Sequence, residues 1–313
     1  MREMNRLSDL LAVRVERLPP DTCCFRWVDG ELDGITVDLF DDVAVVSLYR
    51  ELDAAEEHGL AQALVEARPL RAVYVKRRPR EARRPANEDS DWVAPRAPLL
   101  GQPVASLVSP EHGARFEIRP DNGLSVGLYL DARDARAEVR RLAKGRRVLN
   151  TFAYTCAFGV VAHLGGASRV ANLDVSRRVL DWGEVNYAHN HLDAQRFDFI
   201  SGDVFEWLAR FRKKDEVFDL IILDPPGFST ARGRRFTAQR DYHHLVATAA
   251  KVLSRSGLLV AMCNVEAMSE AELLGQLTEG LVGTSWKVVS RVPPSAIDFR
   301  EGAGLKCLVV EVS

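Results

Sequence analysis

The chain has 313 residues, of which 47% are hydrophobic and 27% are charged, and its formal net charge is −2. A chain of this length exceeds what one hydrophobic core usually serves, so we expect two domains. The near-neutral charge excludes a uniformly basic nucleic-acid-binding protein. Any contact with nucleic acid must therefore come from local basic surfaces.

Neither a membrane span nor a metal site is indicated by the sequence. The longest apolar runs, at 217–223 and 258–263, are far shorter than the roughly 20 residues that a membrane span needs. The N-terminal segment mixes charged residues with leucines and lacks the apolar core of a signal peptide. The five cysteines are scattered, without CxxC spacing, and predict neither a disulfide framework nor a zinc site. We therefore expect a cytoplasmic protein without a metal.

The N-terminal part predicts a helical segment over 1–20 and a small α+β domain over 21–120. Runs of β-branched and aromatic residues predict strands at 24–28, 35–39, 43–48, 73–75 and 115–118. Residues 55–67 have the apolar pattern of a helix. The Arg- and Pro-rich stretch at 76–96 predicts a long solvated loop.

Residues 121–313 alternate between strand and helix patterns. The predicted strands lie at 148–150, 170–174, 197–200, 217–223, 258–262, 286–292 and 305–312. Strict alternation predicts a doubly wound parallel sheet, and the last two strands should add an antiparallel edge. The expected fold class is therefore α/β, a Rossmann-like sheet of seven strands preceded by a small α+β domain.

A cofactor site is expected where the parallel strands end, because ligands of such sheets bind at their carboxyl ends. The loop at 150–155 lacks the GxGxxG fingerprint that a pyrophosphate requires, which disfavours a nicotinamide dehydrogenase. S-adenosylmethionine carries no phosphate and tolerates a bulkier loop. Asp174 could accept hydrogen bonds from both ribose hydroxyls, and Asp203 could bind the adenine amino group. Either carboxylate could instead cap a helix, as could Ser176.

Asp224, Pro225 and Pro226 directly follow the most apolar predicted strand. Two prolines end the strand ladder and leave carbonyl groups without partners at the predicted pocket. Such carbonyls can hold the amino group of a nucleobase, and Phe228 can stack on the base. The alternative interpretation is a plain turn.

Taken together, these motifs resemble the bacterial large-subunit ribosomal RNA methyltransferases, which include cytosine-C5 enzymes and a guanine-N7 module. The matching segments are 150–155, 174–176, 203–205 and 224–228, with the hairpin 29–34 and the linker-strand segments 111–116 and 127–133 upstream. The resemblance covers about Thr22 to the C terminus. It implies a class I S-adenosylmethionine-dependent methyltransferase acting on RNA, namely 23S rRNA or a large-subunit precursor.

The resemblance also implies a set of cofactor-binding residues. They are Tyr129, Asp131, Arg133, Asn150, Phe152, Ala153, Tyr154, Thr155, Asp174, Val175, Ser176, Asp203, Val204 and Asp224. Arg133 would pair with the cofactor carboxylate. Cys156 stands where many members have Gly, and Ala132 where many have Gln. Members commonly begin with a PUA domain, and we expect RNA to be held here without one. The oligomeric state stays open, a homodimer being one alternative.

The methylated atom depends on the residues that end the fifth strand. Methylation at C5 of cytosine needs a thiolate to attack C6, for which Cys263 is the candidate, with Asp224 protonating the ring. Counted without gaps from Gly257, however, Asn264 takes the position of the family cysteine, and a one-residue slip turns a side chain to the other face. Guanine-N7 members have Ser-Asn-Asn there and need no nucleophile. Cytosine C5 is the first choice and guanine N7 the alternative, and Cys263 could also be a buried small hydrophobe.

RNA contacts are predicted beside the Asp-Pro-Pro segment, where Arg234 and Arg235 belong to a basic cluster, although such clusters are usually only solvated faces. Substrate-binding residues are thus expected to be Pro225, Pro226, Phe228, Arg234, Arg235 and Asn264. Two rival classes remain. One is an RNA-binding protein that has kept the fold and lost catalysis. The other is an oxidoreductase, which the missing glycine fingerprint disfavours.

Overall fold

The computed structural model describes residues 2–78, 90–195, 198–231, 234–300 and 304–313. The chain forms two compact units. The first comprises Met1–Leu130 with Ser295–Glu301, and the second comprises Asp131–Pro294 with Gly302–Ser313. The first unit therefore runs past residue 120, where the sequence suggested a boundary, and includes a short segment from near the C terminus.

The first unit is an α+β arrangement around one mixed sheet. Its elements are α1 (Arg2–Arg17), β1 (Cys24–Leu32), β2 (Ile35–Phe40), β3 (Val43–Leu48), α2 (Ala54–Ala67), β4 (Ala72–Arg77), α3 (Ser90–Val93), β5 (Leu100–Gly101), β6 (Leu107–Glu111) and β7 (Ala114–Ile118). Strands β1 to β5 form the sheet in that order, with only β3 and β4 parallel, and β6 and β7 pair as a separate hairpin. Helices α1 and α2 cover one face through Leu7, Leu11, Ala61 and Leu64.

The segment at 295–300 is held against β1 and α1 by hydrogen bonds to buried or half-buried groups. Asp298 Oδ2 accepts from the Arg26 amide at 3.0 Å, and Asp29 Oδ2 accepts from the Arg300 amide at 2.9 Å. Arg14 donates to the Ile297 carbonyl at 2.9 Å. Carboxylates that take backbone N–H groups make strong, specific contacts, so this segment is a structural part of the first unit.

The second unit contains the predicted seven-stranded sheet. Its elements are α4 (Arg133–Leu142), β8 (Arg147–Thr151), α5 (Ala157–Leu164), β9 (Arg169–Asp174), α6 (Arg177–His189), β10 (Phe199–Ser201), α7 (Val204–Lys213), β11 (Phe218–Leu223), β12 (Phe228–Ala231), β13 (Arg234–Thr237), α8 (Ala238–Ala250), β14 (Leu253–Cys263), α9 (Glu270–Gly280), β15 (Trp286–Arg291) and β16 (Lys306–Val312). The strand order is β10-β9-β8-β11-β14-β16-β15, and β16 runs antiparallel to both neighbours. The α/β fold with an antiparallel edge is confirmed.

Burial of the central strands explains why this sheet forms. Strand β11 reads Phe-Asp-Leu-Ile-Ile-Leu and is almost entirely buried, because helices cover the sheet on both faces. Helices α7, α8 and α9 pack on one face, and α8 contributes Tyr242, Leu245 and Val246 to that core. Helix α9 begins with a capping box, in which Ser269 and Glu272 each bond the other's backbone N–H.

Two local expectations were wrong, and one hairpin was not predicted. Residues 127–133 form no strand; a 3₁₀ turn at Leu130–Ala132 leads straight into α4, whose Arg- and Ala-rich sequence favours helix. The hairpin of β12 and β13 was not predicted, because its basic sequence carries little of the apolar alternation of a strand. Lys76 and Arg77 belong to β4 and Ser90–Val93 to α3, so these residues are not part of the solvated loop predicted at 76–96; residues 79–89 lie outside the described part.

In the described part of the chain, no helix is long and apolar enough to cross a membrane. The same residues contain no group of three or more His, Cys, Asp or Glu side chains arranged to hold a metal ion.

Candidate active site

The carboxyl ends of five parallel strands meet at one edge of the second unit's sheet. In register, Thr151 of β8 pairs with Leu173 of β9 and with Leu223 of β11, and Leu223 pairs with Ala261 of β14. Because neighbouring parallel strands end together, the residues that follow each strand form one continuous row. Most of the residues predicted for the site lie in this row.

The loop after β8 has an unusual backbone. Phe152, Tyr154 and Cys156 have φ values of 53°, 48° and 60°, so three alternate non-glycine residues adopt the left-handed conformation. Each such residue costs about 1 kcal/mol or more and persists only where the surroundings hold it. The loop thus takes a shape that glycine adopts readily, which agrees with the family's use of Gly at the position of Cys156.

Hydrogen bonds from the neighbouring elements hold that loop. The Ala153 amide donates to the Leu173 carbonyl at 3.0 Å. The Tyr154 amide donates to Asp174 Oδ2 at 2.9 Å, and Asn186 of α6 donates to the Thr155 carbonyl at 2.9 Å. Sequence reasoning missed Asn186, whose only signal was a polar residue on the buried face of α6.

Asp174 has the position expected of a ribose-binding carboxylate. It ends β9 half-buried, and Oδ1 accepts from the Ser176 amide at 2.9 Å. Burial raises the pKa of Asp174, and hydrogen bonds from the backbone of Ser176, Tyr154 and Val175 partly offset this effect. Val175 follows with an apolar side chain that is 66% exposed, a suitable surface for a purine ring. Ser176 is the N-cap residue of α6, but its side chain makes no capping hydrogen bond.

Asp203 and Val204 have clear structural roles. Asp203 is the N-cap residue of α7, and Oδ1 accepts from the Glu206 amide at 3.0 Å. Val204 is buried in the core with Leu208. Helix capping is thus the contact that this structure gives Asp203, and its bond to adenine stays a prediction.

Below the loop lies a buried polar network. Asn150 donates to Asn172 Oδ1 at 2.9 Å, and Asn172 donates to the Tyr187 hydroxyl at 2.8 Å. Gly159 of α5 makes room for it, since a Cβ there would lie 2.1 Å from Asn172 Oδ1. Asn150 therefore supports the loop from beneath, through partners that no sequence pattern indicated.

Three of the residues that the resemblance implies for cofactor binding, Tyr129, Asp131 and Arg133, belong to different units. Tyr129 lies in the first unit, half exposed, with its hydroxyl 2.8 Å from Ser125 Oγ. Asp131 and Arg133 lie in the second unit, where Arg133 begins α4 fully buried.

Asp224 is the most perturbed carboxyl group at the strand ends. It lies half-buried after β11, and its pKa is raised to about 7, first by burial and then by Asp131, while Arg136 acts in the opposite direction. A substantial fraction of Asp224 is therefore protonated at neutral pH. In this state the carboxyl group can donate a hydrogen bond or a proton.

Cys263 ends β14, the strand next to β11, and is fully buried. Its Sγ atom lies 3.4 Å from Met268 Sδ. Burial raises the pKa of the Cys263 thiol, whereas a hydrogen bond from the Val265 backbone and the charge of Lys306 lower it, and Asp224 raises it further. Asn264, the next residue, is exposed.

The hairpin of β12 and β13 extends from the Asp-Pro-Pro segment, in which Pro225 is buried and Pro226 exposed. Phe236 is buried in the core, so the residues on either side of it in β13 face outward. Arg235 is exposed on that outer side, and Phe228 of β12 is 62% exposed. The backbone of Arg234 pairs with Ala231.

Comparison with known proteins identifies the family of the chain. A family model described as S-adenosylmethionine-dependent methyltransferase matches residues 22–311. The chain belongs to this family. Its cofactor is accordingly S-adenosylmethionine, and the half-buried carboxylate of Asp174 beside the exposed Val175 fits a ribose diol next to an adenine ring.

Two curated relatives carry the same name, "Ribosomal RNA large subunit methyltransferase I". The relative from Alteromonas mediterranea is 31% identical over 322 residues, which cover 99% of this chain and 80% of the relative. A relative from Escherichia coli is 33% identical over 240 residues, covering 75% of this chain but only 59% of the relative. A crystal structure titled "SMU.776, a putative methyltransferase complexed with SAH" superposes with a TM-score of 0.87 at 24% identity, covering 98% of this chain and 81% of that one. At this identity the likeness shows a shared fold.

The strained loop gives a testable compensation. A Cβ on Gly183 of α6 would lie 2.3 Å from Cys156 Sγ and 2.9 Å from its Cβ. Gly183→Ala should therefore lower the free energy of unfolding by about 1–3 kcal/mol and weaken S-adenosylmethionine binding. Cys156→Gly removes both clashing atoms and suits a φ of 60°, so the double variant should recover most of both losses.

Gly275→Ala is the matched control for thermal denaturation and calorimetric titration. A Cβ at this α9 position meets nothing within 4 Å, so the change should leave the melting temperature equal or slightly higher. Equal behaviour of the Ala variants at 183 and 275 would refute the packing argument.

The raised pKa of Asp224 predicts a pH-dependent stability. Folding raises this pKa from 3.8 to about 7, so the folded protein binds the proton more tightly than the unfolded chain. The resulting stabilisation is complete below about pH 4 and is lost as pH rises through about 7. Asp224→Asn cannot ionise, so its melting temperature should rise relative to wild type by a few degrees between about pH 5 and pH 8.

Asp219, at the other end of β11, is the control with the opposite sign. Burial alone would raise its pKa, but hydrogen bonds from the Arg147 amide and the Ser254 hydroxyl hold the pKa below its ordinary value. Asp219→Asn should therefore be destabilised by a constant amount over the same pH range. If the difference in melting temperature between Asp224→Asn and wild type were also independent of pH, the predicted titration of Asp224 would be contradicted.

Proposed function

We propose that the protein transfers a methyl group from S-adenosylmethionine to C5 of a cytosine in large-subunit ribosomal RNA, that is, 23S rRNA or its precursor. The names of the relatives from Alteromonas mediterranea and Escherichia coli support the class of substrate. Because the chain spans 59% of the Escherichia coli relative, the substrate is carried over as a proposal and not as a shared property.

One juxtaposition carries the choice of cytosine C5. Asp224 and Cys263 follow or end two neighbouring strands, β11 and β14, whose last paired residues are Leu223 and Ala261. The aromatic C5 becomes nucleophilic only after a thiolate has added to C6, and protonation at N3 assists that addition. A thiol and a carboxyl group with a pKa of about 7 provide this pair of functions.

The proposed reaction assigns one role to each group. The Cys263 thiol loses its proton to water and the resulting thiolate adds to C6 while Asp224 gives its proton to N3, so that C5 becomes the nucleophilic carbon of an enamine. The bound cofactor supplies an electrophilic methyl group on its sulfonium sulfur. Once C5 carries the methyl group, the C5 proton leaves to water and N3 returns its proton to Asp224. The C6–S bond then breaks and releases the Cys263 thiolate.

The burial of Cys263 requires a rearrangement before attack. In the structure, Met268 is buried against the thiol. The target nucleobase must therefore displace the loop at 264–268, which connects β14 to α9. The Val265 N–H and the Lys306 ammonium lower the pKa of the thiol and so favour the thiolate once it forms.

The exposed Asn264 favours a second candidate, methylation at N7 of guanine. Its side chain is accessible at the end of β14, whereas the Cys263 thiol is covered. N7 already has a lone pair, so this reaction needs no thiolate, and Cys263 would then serve only in packing.

The two candidates are separated by nucleoside mass spectrometry. Ribosomal RNA from a strain lacking the protein is incubated with enzyme and isotopically labelled S-adenosylmethionine. We expect label in 5-methylcytidine and its loss, by at least about 1,000-fold in rate, in Cys263→Ala. Cys307→Ala, which changes another buried cysteine on the neighbouring strand β16, should keep wild-type activity. Label in 7-methylguanosine that survives Cys263→Ala would establish the guanine reaction instead.

RNA is proposed to approach over the outer face of the β12–β13 hairpin, where Phe228 can stack on a base and Arg235 can bind a phosphate. Arg235→Glu should weaken RNA binding by about tenfold and flatten its salt dependence, while the Kd for S-adenosylhomocysteine stays unchanged. The matched reversal is Lys213→Glu, since Lys213 is exposed in the last turn of α7, at the opposite edge of the sheet. Equal losses in filter binding for both variants would reject a specific role of the hairpin.

A further inference from the structure

Tyr242 of α8 connects the two strand ends that carry Asp224 and Cys263. Its side chain is fully buried, and its hydroxyl lies 3.0 Å from the Leu223 carbonyl and 3.1 Å from the Met262 carbonyl. These carbonyls belong to the residues directly before Asp224 and Cys263. One side-chain atom therefore spans the gap between β11 and β14 at the point where the site begins.

The strand ladder cannot make this connection itself. Paired residues between β11 and β14 end at Leu223 and Ala261. Beyond that point Pro225 has no N–H to donate. Buried carbonyls without a donor are costly, and the Tyr242 hydroxyl supplies the donor that the ladder lacks.

The hydroxyl is held in place and stays protonated. The Thr237 amide donates to Asp241 Oδ2 at 2.7 Å within the first turn of α8, and the Ala238 amide donates to the Gly227 carbonyl at 3.0 Å, which connects the start of α8 to the Asp-Pro-Pro-Gly segment. Burial, together with the nearby Asp224, Cys263 and Cys307, raises the pKa of Tyr242 well above 10. The group is therefore a permanent hydrogen-bond donor at a fixed position.

We infer that Tyr242 is a positioning residue for methyl transfer, which sets the separation of Asp224 and Cys263 through the backbone carbonyls that precede them. The inference rests on the proposed cytosine reaction. There the acid and the nucleophile must reach N3 and C6, on opposite sides of one pyrimidine ring. Catalytic groups generally have to be held within about 0.5 Å of their working geometry. Because the ladder stops at a proline, the backbone pairing alone does not connect these two strand ends.

The test uses Tyr242→Phe in the full-length protein, a change that removes one oxygen atom. We expect kcat for 5-methylcytidine formation to fall by at least about tenfold. KM for RNA and the Kd for S-adenosylhomocysteine should stay within about twofold of wild type. Covalent capture of 23S rRNA transcribed with 5-fluorocytidine, in which the fluorine blocks loss of the C5 substituent, should slow by the same factor as kcat.

Tyr74→Phe is the matched control. Tyr74 in the first unit is also fully buried, and its hydroxyl also has two backbone partners, the Val104 carbonyl at 3.2 Å and the Val104 amide at 2.8 Å. This variant should lose comparable thermal stability and keep kcat within about twofold.

The outcomes separate the inference from the proposed function. Wild-type kcat in Tyr242→Phe, or a parallel loss of kcat and cofactor binding as a purely structural role would give, overturns the positioning role. If the wild-type enzyme itself forms 7-methylguanosine and captures no fluorinated RNA, the proposed cytosine reaction fails, whatever Tyr242→Phe does.

Discussion

The end of one hydrogen-bonded ladder determines how this site is built. Strand β11 is buried on both faces, so its backbone must be paired throughout, yet Pro225 prevents pairing just beyond Leu223. A strand that ends in this way leaves its next residue, Asp224, half-buried at the strand end, and the chain then continues into the β12–β13 hairpin. Partial burial at that exit accounts for most of the rise in the pKa of Asp224. The position of the acid and its proton affinity thus have one cause.

The loop after β8 shows a second compromise between local strain and tertiary support. Three left-handed residues without glycine are unfavourable by themselves. Buried amide side chains offset this strain, because Asn186 binds the loop directly and the Asn150–Asn172 pair fills the space below it. A fully satisfied polar network in a low-dielectric interior is rigid, which suits a loop that must present backbone groups to a cofactor.

Sequence periodicity was sufficient to predict the sheet, because seven apolar runs alternating with helices admit few other arrangements. It also brought Asp174, Asp203 and Asp224 to one edge, since parallel strands end together. It could not separate a helix cap from a ligand, and Asp203 is seen here as a cap. The supporting side chains, Asn172, Asn186 and Tyr242, escaped prediction because their partners lie 15 to 31 residues away and are mostly backbone carbonyls. Residues 295–301 belong to the first unit although they lie near the C terminus, and no local sequence pattern indicates this.

The protonation states of Asp224 and Cys263 explain how both can be tolerated at neighbouring, buried or half-buried strand ends. Burial raises the pKa of each group, and the charge of Asp224 raises the pKa of Cys263 further, so the neutral thiol is favoured before RNA binds. A neutral pair costs far less to bury than a thiolate and a carboxylate side by side. The proposed chemistry uses this state directly, since the acid must hold its proton until N3 receives it. The thiolate is then needed only in the complex with RNA. There the target nucleobase has displaced Met268 and its polar ring lies against the Val265 N–H and Lys306. Activation of the nucleophile would thereby be confined to the complex with substrate, which also limits oxidation of the thiol in the free enzyme.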